Sequence, residues 1–280
     1  MQYSPAPDDG RTLIRIDIDP AEMTRFRPHV GIVADSAVAC RRLAERLAGR
    51  VRPNPDRPAE ISAAKRVAAA LYERIQPQTA YLQAIRAALP RDGFLVPELS
   101  QAGFTTYTGA FPVLEPGTYV TEGFQGTLGF GFPMALGVKA ACPDRAVVSI
   151  AGDGGLLFAI QELATAAQYG LAAVTIVFNN RSYGNVLRDQ QQQYGGRVAG
   201  AVLSDVDFVR VAEGLGVEGR RVGSPAELGE ALAAALAADR PALLEVPLER
   251  GTETSPWPLI HMTERPSAML GAHPGVSERR

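Results

Sequence analysis

The residues best suited to chemistry follow two apolar runs that have the composition of strands. The run AVVSIA leads into GDGG at 152–155, and the run AVTIVF leads into NN at 179–180. The Asp153 carboxylate and the Asn180 amide are hard oxygen ligands of the kind that suits Mg²⁺, which often shares its shell with phosphate. The flanking glycines let backbone N–H groups approach an anion closely. The pair predicts a diphosphate bridged by Mg²⁺, whereas GDG alone is also typical of a tight strand-to-helix turn.

One helical segment between the two runs explains why Asp153 and Asn180 should meet. A strand, a helix and a second strand in this order form a right-handed βαβ unit with parallel strands, so both residues leave at the carboxyl edge, where open α/β sheets bind ligands. A helix that starts after Gly155 would point its positive end at the same place. The apolar residues of the segment fall on one predicted face: Leu157, Ile160, Leu163, Ala164 and Ala167.

The surrounding sequence alternates between apolar runs and helical stretches. Strands are predicted at 94–96, 146–151, 173–178 and 242–246. Helices are predicted around 133–141, 157–169, 205–214 and 225–238. Such alternation predicts an α/β fold, a doubly wound parallel sheet with helices on both faces.

Three further segments flank this predicted domain, which covers residues 81–250. Residues 1–50 offer a strand at 11–19 and a helix at 35–47, which is too little for a core of their own. The proline-rich stretch at 51–60 and the helix that follows it, ended by Pro77, make 51–80 a linker and helix. Residues 251–280, again rich in proline, are interpreted as an irregular C-terminal arm.

Bulk composition excludes several classes of protein. The formal net charge is −2, so no positive field favours nucleic acid or anionic lipid. Cys40 and Cys142 stand far apart, without the spacing of a disulfide framework or a zinc site. No run approaches the roughly 18 apolar residues of a membrane helix. We therefore expect a cytoplasmic protein that binds neither nucleic acid nor membrane.

GDG followed after 24 residues by NN resembles the cofactor signature of thiamine diphosphate enzymes. From about residue 11 to 250 the chain is similar to the acetolactate synthase and benzoylformate decarboxylase group, most closely in GTLGFGFPMALGVKAACPDRAVVSIAGDGG and QELATAAQYGL. The resemblance implies that the Asp153 carboxylate, the Asn180 side chain and the Ser182 carbonyl ligate Mg²⁺. It also implies that the backbone around four residues holds the diphosphate: Gly154, Gly155, Tyr183 and Gly184.

The same resemblance assigns a role to the segment GTLG at 126–129. Leu128 would be the apolar prop that holds thiamine diphosphate in its bent shape. The Gly126 carbonyl would accept a hydrogen bond from the exocyclic amine of the pyrimidine. Ordinary core packing is the alternative interpretation of Leu128.

In this family the glutamate that activates the cofactor comes from a separate pyrimidine-binding domain, which no segment of the sequence resembles. Residues 1–50 resemble only the final third of the family's middle domain. We therefore expect the C-terminal part of a 2-oxo acid carboligase or decarboxylase, without an assigned catalytic residue and incomplete without a pyrimidine-binding partner chain or homologous subunit. A split gene, an upstream start codon and a decayed remnant all stay open. Relatives bind each cofactor between two subunits, which implies an oligomer.

The residues that follow Asn180, the implied metal ligand, differ from those of biosynthetic acetolactate synthases. These resemble NNQYLGMVRQW, but here the run is NNRSYGNVLRD, with Asn185 and Asp189 where Met and Trp line the acceptor pocket. A polar pocket for another substrate and a solvent-exposed helix face are both compatible with this change. Glu122, near the predicted prop, faces either the active site or the surface.

Two other functions compete with the enzyme interpretation. The chain could be a catalytically silent subunit that binds the cofactor or a full-length relative and acts through interaction. It could instead be a generic α/β nucleotide-binding protein that uses the GDG turn for another phosphate.

Overall fold

The computed structural model describes residues 12–25, 28–123 and 125–260, and the chain divides into two compact units, 1–61 and 62–280. The finer boundaries at 50, 80 and 250 stay predictions. Beyond residue 260 the predicted C-terminal arm lies outside the described residues, as do the first eleven residues.

The first unit contains a small parallel sheet. Its described residues form two strands and two helices in alternation: β1 (Ile14–Asp17), α1 (Glu22–Arg25), β2 (Val30–Val33) and α2 (Ser36–Leu47). The Asp35 side chain accepts from the Val38 N–H at 3.0 Å and so caps the start of α2. The prediction of one strand and one helix here was incomplete, because the VGIV run of β2 is too short to show a strand period.

The next helix, α3 (Arg57–Tyr72), begins inside the predicted linker. Only residues 51–56 of that proline-rich stretch precede it. Pro58 stands in the first turn of α3, where its missing N–H costs little because the first helical N–H groups have no partner within the helix. Part of the proline-rich stretch is therefore the start of a helix.

The second unit is built on a parallel sheet of five described strands, in the order β3-β4-β5-β7-β6. The described elements follow one another as α4 (Gln78–Ala88), β3 (Phe94–Pro97), α5 (Gln101–Thr106), α6 (Gly131–Ala141), β4 (Val147–Gly152), α7 (Asp153–Leu156), α8 (Glu162–Tyr169), β5 (Ala173–Asn179), α9 (Gly184–Gln193), α10 (Phe208–Gly214), β6 (Glu218–Arg221), α11 (Pro225–Ala237), β7 (Ala242–Pro247) and α12 (Trp257–Ile260). Every strand pairing in this sheet is parallel, which confirms the predicted α/β fold.

Alternate residues of the central strands feed two hydrophobic cores, one on each face of the sheet. On one face Val148 and Ile176 pack with residues of α4 and α11. On the other face Val147 and Val177 pack with residues of α6, α8 and α10. Full burial of such a side chain stabilises the fold by about 1.5–3 kcal/mol, so the carboxyl edge of the sheet rests on a well-packed base. Helices on both faces are thus confirmed, and none of the described helices combines the length and apolar character of a membrane span.

One strand of the sheet was not predicted. The sequence of β6 is EGRR, which shows no apolar alternation. In the described sheet β6 lies at an edge and pairs only with β7. Edge strands commonly carry charged side chains because these discourage pairing with other chains. The polar sequence is therefore the physical reason that the period-based prediction missed it.

The single helix predicted at 157–169 is interrupted. α7 begins at Asp153 itself, directly after β4, and ends at Leu156. A tighter turn follows, in which the Glu162 N–H donates to the Ala159 carbonyl at 3.0 Å, and only then does α8 continue. The βαβ connection therefore contains two short helices, and the predicted start of the helix, after Gly155, was wrong by three residues.

This interruption changes which residues of the connection are buried. Tight turns of the 3₁₀ type advance by three residues per turn instead of 3.6, so the face predicted for one continuous helix is shifted. In α8 the buried residues are Leu163 and Ala166. Leu157 and Ala164, which were predicted on the buried face, are exposed.

Candidate functional site

The carboxyl ends of β4 and β5 bring the three predicted metal ligands together. Gly152, the last residue of β4, is in register with Phe178 of β5, so the residues after both strands leave side by side. The contact is direct, because the Ser182 N–H donates to Asp153 Oδ2 at 3.1 Å. Asp153, Asn180 and Ser182 are all buried.

Glycine is required in the first turn of α7 because the backbone is closely approached by other groups. A Cβ atom on Gly154 would lie 2.4 Å from Tyr183 Cε1, and one on Gly155 would lie 2.2 Å from Glu98 Oε1. Neither distance leaves room for a side chain. At Gly184, the first residue of α9, a Cβ would lie 3.1 Å from Asn180 Nδ2. These three glycines, called the glycine cradle below, all line the cavity described next, and neighbouring side chains occupy the space where their Cβ atoms would lie.

The Asp153 carboxylate is buried and held by uncharged donors. Its Oδ1 accepts from the Gly154 N–H at 2.9 Å, while Oδ2 accepts from the Ser182 N–H. Burial raises the pKa of Asp153 above its ordinary value, and these backbone N–H groups oppose the shift. Since the donors carry no formal charge, a cation in the adjacent cavity would favour the ionised form further.

The Asn180 amide is held from both sides. Its Oδ1 accepts from the Ser182 hydroxyl at 2.7 Å, and its Nδ2 donates to Glu253 Oε2. Burial, with a smaller contribution from the Asp153 carboxylate, raises the pKa of Glu253. Two carboxylates therefore lie near the amide, a charge arrangement that suits a divalent cation.

These residues line one cavity of about 210 Å³. Its lining includes every predicted site residue except Gly126: Leu128, Asp153, Gly154, Gly155, Asn180, Ser182, Tyr183 and Gly184. The Tyr183 N–H already donates to the Ala201 carbonyl at 2.9 Å, so Tyr183 lines the cavity by its position beside Gly154. Apolar side chains line the rest of the wall, among them Phe104 and Phe178.

Gly126 is not itself part of the cavity lining. Its backbone adopts a left-handed conformation with φ +63°, and a Cβ there would lie 3.4 Å from Leu99 Cδ1. Leu99 itself lines the cavity, as does Leu128, which is half-buried. The predicted prop therefore faces the cavity, while Gly126 stands behind a cavity-lining side chain.

Glu98, which the sequence analysis missed, fixes the backbone next to Leu128. It directly follows β3 at the carboxyl edge and is 1% exposed. Its Oε1 accepts from the Gly129 N–H at 2.6 Å and its Oε2 from the Gly131 N–H at 3.0 Å. Burial raises the pKa of Glu98, and these two hydrogen bonds oppose the rise. The signal that could have found it is the position of a carboxylate at the end of an apolar strand.

Glu122 lies outside the cavity lining among the described residues. The Tyr107 hydroxyl donates to Glu122 Oε1 at 2.5 Å, while the buried Oε2 has no partner among the described residues. Burial and the neighbouring Glu122 raise the pKa of Tyr107. The geometry therefore supports neither interpretation of Glu122. The residue does not line the cavity, and one of its carboxylate oxygens is buried, unlike that of a plain surface residue.

Asn185 and Asp189, the two residues that differ from biosynthetic acetolactate synthases, line different depressions of the structure. Asn185 lines the cavity, and its Oδ1 accepts from the Trp257 Nε1–H at 2.5 Å. Asp189, one turn further along α9, lines a neighbouring groove together with Arg188 and Trp257. A polar side chain therefore does face the cavity, but only one of the two predicted residues supplies it.

The C-terminal arm, interpreted from sequence as irregular, contributes to the site. Glu253 lines the cavity and contacts Asn180. Trp257 contacts Asn185, and its ring lies 4.8 Å from the ring of Phe104. Among the described residues, no cluster of three or more His, Cys, Asp or Glu side chains could hold a metal, and the predicted Mg²⁺ set, with one carboxylate, requires none.

Comparison with known families identifies the domain that contains this cavity. The family described as "Thiamine pyrophosphate enzyme, C-terminal TPP binding domain" matches residues 101–246. This match covers the predicted metal ligands, the glycine cradle and Leu128. It ends before Glu253 in the C-terminal arm.

Relatives with named activities are similar over most of this chain. A benzoylformate decarboxylase from Pseudomonas aeruginosa is 35% identical over 249 residues, which cover 88% of this chain and 45% of the relative. A probable acetolactate synthase large subunit from Methanocaldococcus jannaschii is 33% identical over 252 residues, which cover 85% of this chain and 42% of the relative. The chain thus spans less than half the length of these relatives.

A solved structure has the same fold. The thiamine diphosphate-dependent 4-hydroxybenzoylformate decarboxylase of Rhodococcus jostii RHA1 superposes with a TM-score of 0.69 at 27% sequence identity. The superposition covers 89% of this chain and 46% of that structure. The similarity therefore extends beyond the cofactor-binding domain into most of the chain.

Proposed function

Because this chain belongs to the thiamine pyrophosphate enzymes and carries their C-terminal cofactor-binding domain, we propose that it binds thiamine diphosphate through Mg²⁺ as the C-terminal part of a 2-oxo acid carboligase or decarboxylase. One observation carries the proposal. A buried carboxylate, Asp153, leaves β4 beside Asn180 and Ser182, and all three line a cavity with glycine walls.

Asp153, the Asn180 side chain and the Ser182 carbonyl are the proposed Mg²⁺ ligands. A carboxylate, an amide oxygen and a backbone carbonyl are hard donors, and Mg²⁺ commonly completes its shell with phosphate oxygens and water. The arrangement of charge supports this choice, since Asp153 and Glu253 both face the cavity and repel one another. A divalent cation would offset that repulsion.

The diphosphate would lie against the backbone of Gly154, Gly155, Tyr183 and Gly184. The first two stand in the opening turn of α7, where N–H groups have no backbone partner within the helix, although the Gly154 N–H donates to the Asp153 side chain. Both glycines line the cavity. Leu128 would prop the two rings of the cofactor, and the Gly126 carbonyl would accept from the pyrimidine amine.

Thiamine diphosphate supplies the electron sink for cleaving or forming bonds next to the carbonyl of a 2-oxo acid. The residues of this chain would bind and orient it. The apolar side chains of Leu99, Phe104 and Phe178 would limit the access of water to the cavity. Glu98 would hold the backbone of Gly129 and Gly131 in place behind Leu128.

The full activity is proposed to need a pyrimidine-binding partner chain or homologous subunit, in an oligomer of the cytoplasm. The family's activating glutamate belongs to that domain, and the C-terminal domain alone does not supply it. The substrate class is proposed to be 2-oxo acids, in line with the names of the relatives. A catalytically silent chain that binds the cofactor is the second candidate, because the matched domain accounts for cofactor binding and not for the activating glutamate. Family membership argues against a generic nucleotide-binding protein.

Calorimetric titration of the chain with thiamine diphosphate tests the proposal, with and without Mg²⁺. We expect binding heat that requires the metal, because the diphosphate alone would meet two carboxylates. Thiamine without phosphate is the matched control ligand and should bind weakly in both conditions. Equal binding with and without Mg²⁺, or no binding at all, would overturn the proposed function.

A further inference from the structure

The C-terminal arm brings a second carboxylate to the cavity, beyond the residues matched by the family. Glu253 lines the cavity and its Oε2 accepts from Asn180 Nδ2. Sequence analysis gave Glu253 no role. It lies 73 residues from Asn180 in the chain, so only folding brings the two side chains together.

Glu253 determines which way the Asn180 amide points. An ionised carboxylate can only accept hydrogen bonds, whereas an amide has a donor end and an acceptor end. The amide nitrogen must therefore face Glu253, and the amide oxygen faces away, toward the Ser182 hydroxyl at 2.7 Å. A flipped amide would set its oxygen against the Glu253 carboxylate and turn an N–H₂ group toward the cation. Either contact is repulsive.

Neighbouring hydrogen bonds hold Glu253 in this position. The Thr254 N–H donates to the Gln76 carbonyl at 2.9 Å, and the Gln78 side chain donates to the Thr254 carbonyl at 2.7 Å. On the other side, the Arg188 guanidinium donates to the Ser255 hydroxyl at 2.7 Å. The segment around Glu253 is thus fastened to two different parts of the second unit. Its carboxylate is presented to Asn180 in a fixed geometry.

We propose that Glu253 is a positioning residue, which orients the Asn180 amide so that its oxygen is available to Mg²⁺. The inference rests on the proposed function, since it assumes that Asn180 ligates the metal. Residues behind metal ligands commonly act in this way, and their loss typically weakens metal affinity about 10-fold to 100-fold. Glu253 has the two features such a role needs, contact with the ligand and support from its own neighbours.

Three variants of the full chain test this role: Glu253→Gln, Glu253→Ala and Ser255→Ala. Glutamine keeps an acceptor oxygen for Asn180 Nδ2 and removes the charge, while alanine removes both. Ser255→Ala breaks an arm contact that does not involve Asn180, so it controls for loosening of the arm. Thermal unfolding of each variant without ligands checks that the fold is retained.

The measurement is the Mg²⁺ concentration at half-saturation of thiamine diphosphate binding, by calorimetry, supported by electron paramagnetic resonance with Mn²⁺ as the probe. We expect Glu253→Ala to raise this concentration about 10-fold to 100-fold. Glu253→Gln should stay within about threefold of the unchanged protein, and Ser255→Ala, which removes one support of Glu253 but keeps its carboxylate, should raise the concentration much less than Glu253→Ala does. At saturating Mg²⁺ the Glu253→Ala variant should regain most of its affinity for thiamine diphosphate.

Three results would overturn the inference. An unchanged Mg²⁺ requirement in Glu253→Ala would show that the contact does not matter. A Gln variant as weak as the Ala variant would assign Glu253 a charge or direct-ligand role in place of positioning. If Ser255→Ala raised the Mg²⁺ concentration at half-saturation as much as Glu253→Ala does, loosening of the C-terminal arm would explain the effect. If the unchanged protein shows no Mg²⁺-dependent binding, the proposed function fails and the inference fails with it, which separates that case from the other three.

Discussion

At the residue scale, Asp153 is the buried carboxylate on which the proposed metal site depends. It is 4% exposed, its hydrogen-bond donors are backbone N–H groups, and burial raises its pKa. Such a carboxylate is costly to keep ionised without a cation nearby. Burial of this carboxylate costs the fold free energy, and a role of Asp153 in binding the metal ion explains why the residue is there.

Asp153→Ala is expected to abolish the Mg²⁺-dependent binding of thiamine diphosphate, because it removes the only charged member of the proposed ligand set. Calorimetry measures this directly. Asp144→Ala is the matched control: Asp144 is exposed and precedes the opposite end of β4. Binding by Asp153→Ala with the affinity of the unchanged protein would refute the ligand assignment.

Glu98 gives a pH prediction for the cofactor-free chain. Burial raises its pKa above the ordinary 4.5, so the folded state holds this proton more tightly than the unfolded state. The stability that the proton contributes is present below the ordinary pKa and is lost as the pH rises through the raised one. We expect the free energy of unfolding to decline over that range, and Glu98→Gln to flatten the decline.

Chemical denaturation at a series of pH values measures this effect. The exposed Glu60→Gln is a control that removes a carboxylate without removing a buried one. Asp153 and Glu253 titrate in the same direction, so the difference between the curves of the unchanged protein and Glu98→Gln is the quantity of interest. Identical slopes would mean that Glu98 titrates normally in the folded chain.

At the element scale, the junction of β4 and α7 forms the site. Because α7 begins at Asp153 without an intervening loop, its opening turn lies against the residues that follow β5. The backbone of Gly154 and Gly155 is approached so closely that any larger residue would displace Tyr183 or Glu98. The short, interrupted connection thus serves both the cavity, through Gly154 and Gly155, and the core, through Leu156 and Leu163.

Gly155→Ala and Gly137→Ala make a matched pair of helix substitutions with opposite expected signs. A Cβ at Gly155 would lie 2.2 Å from Glu98 Oε1, so this variant should lower the free energy of unfolding by about 1–3 kcal/mol. Gly137 is exposed in α6 with nothing within 4 Å of an added Cβ, so alanine there should raise it by about 1 kcal/mol. Urea denaturation distinguishes the two. A neutral Gly155→Ala would show that Glu98 moves easily.

At the scale of the whole molecule, the chain corresponds to the C-terminal part of its relatives' architecture. It spans 45% of the benzoylformate decarboxylase and 42% of the probable acetolactate synthase subunit. Within the part of the chain that the structure describes, the second unit contains the whole candidate site. Cofactor binding and turnover can therefore be tested separately.

The chain purified alone is expected to turn over 2-oxo acids little or not at all, while still binding thiamine diphosphate with Mg²⁺. The physical reason is that the family's activating glutamate belongs to the pyrimidine-binding domain. Release of CO₂ from benzoylformate and pyruvate is the measurement, and a full-length relative assayed in parallel is the control. Full activity of the chain alone would contradict the need for a partner.

The sequence by itself determined the parallel α/β fold, the family and the meeting of Asp153 with Asn180. These follow from signals that are local in the chain: apolar periods, strand ends and a motif within one βαβ unit. Helix bounds were less predictable where tight turns changed the period, as between α7 and α8, and where an edge strand is polar, as in β6.

Only the tertiary structure decided which residues support the predicted ligands. Glu98 reaches Gly129 across 31 positions of the chain, and Glu253 reaches Asn180 across 73. No local period encodes such contacts, because they depend on how the C-terminal arm and the segment before α6 pack against the carboxyl edge of the sheet. The ligands could be recognised from the sequence, but the side chains that orient them become visible only after the chain has folded.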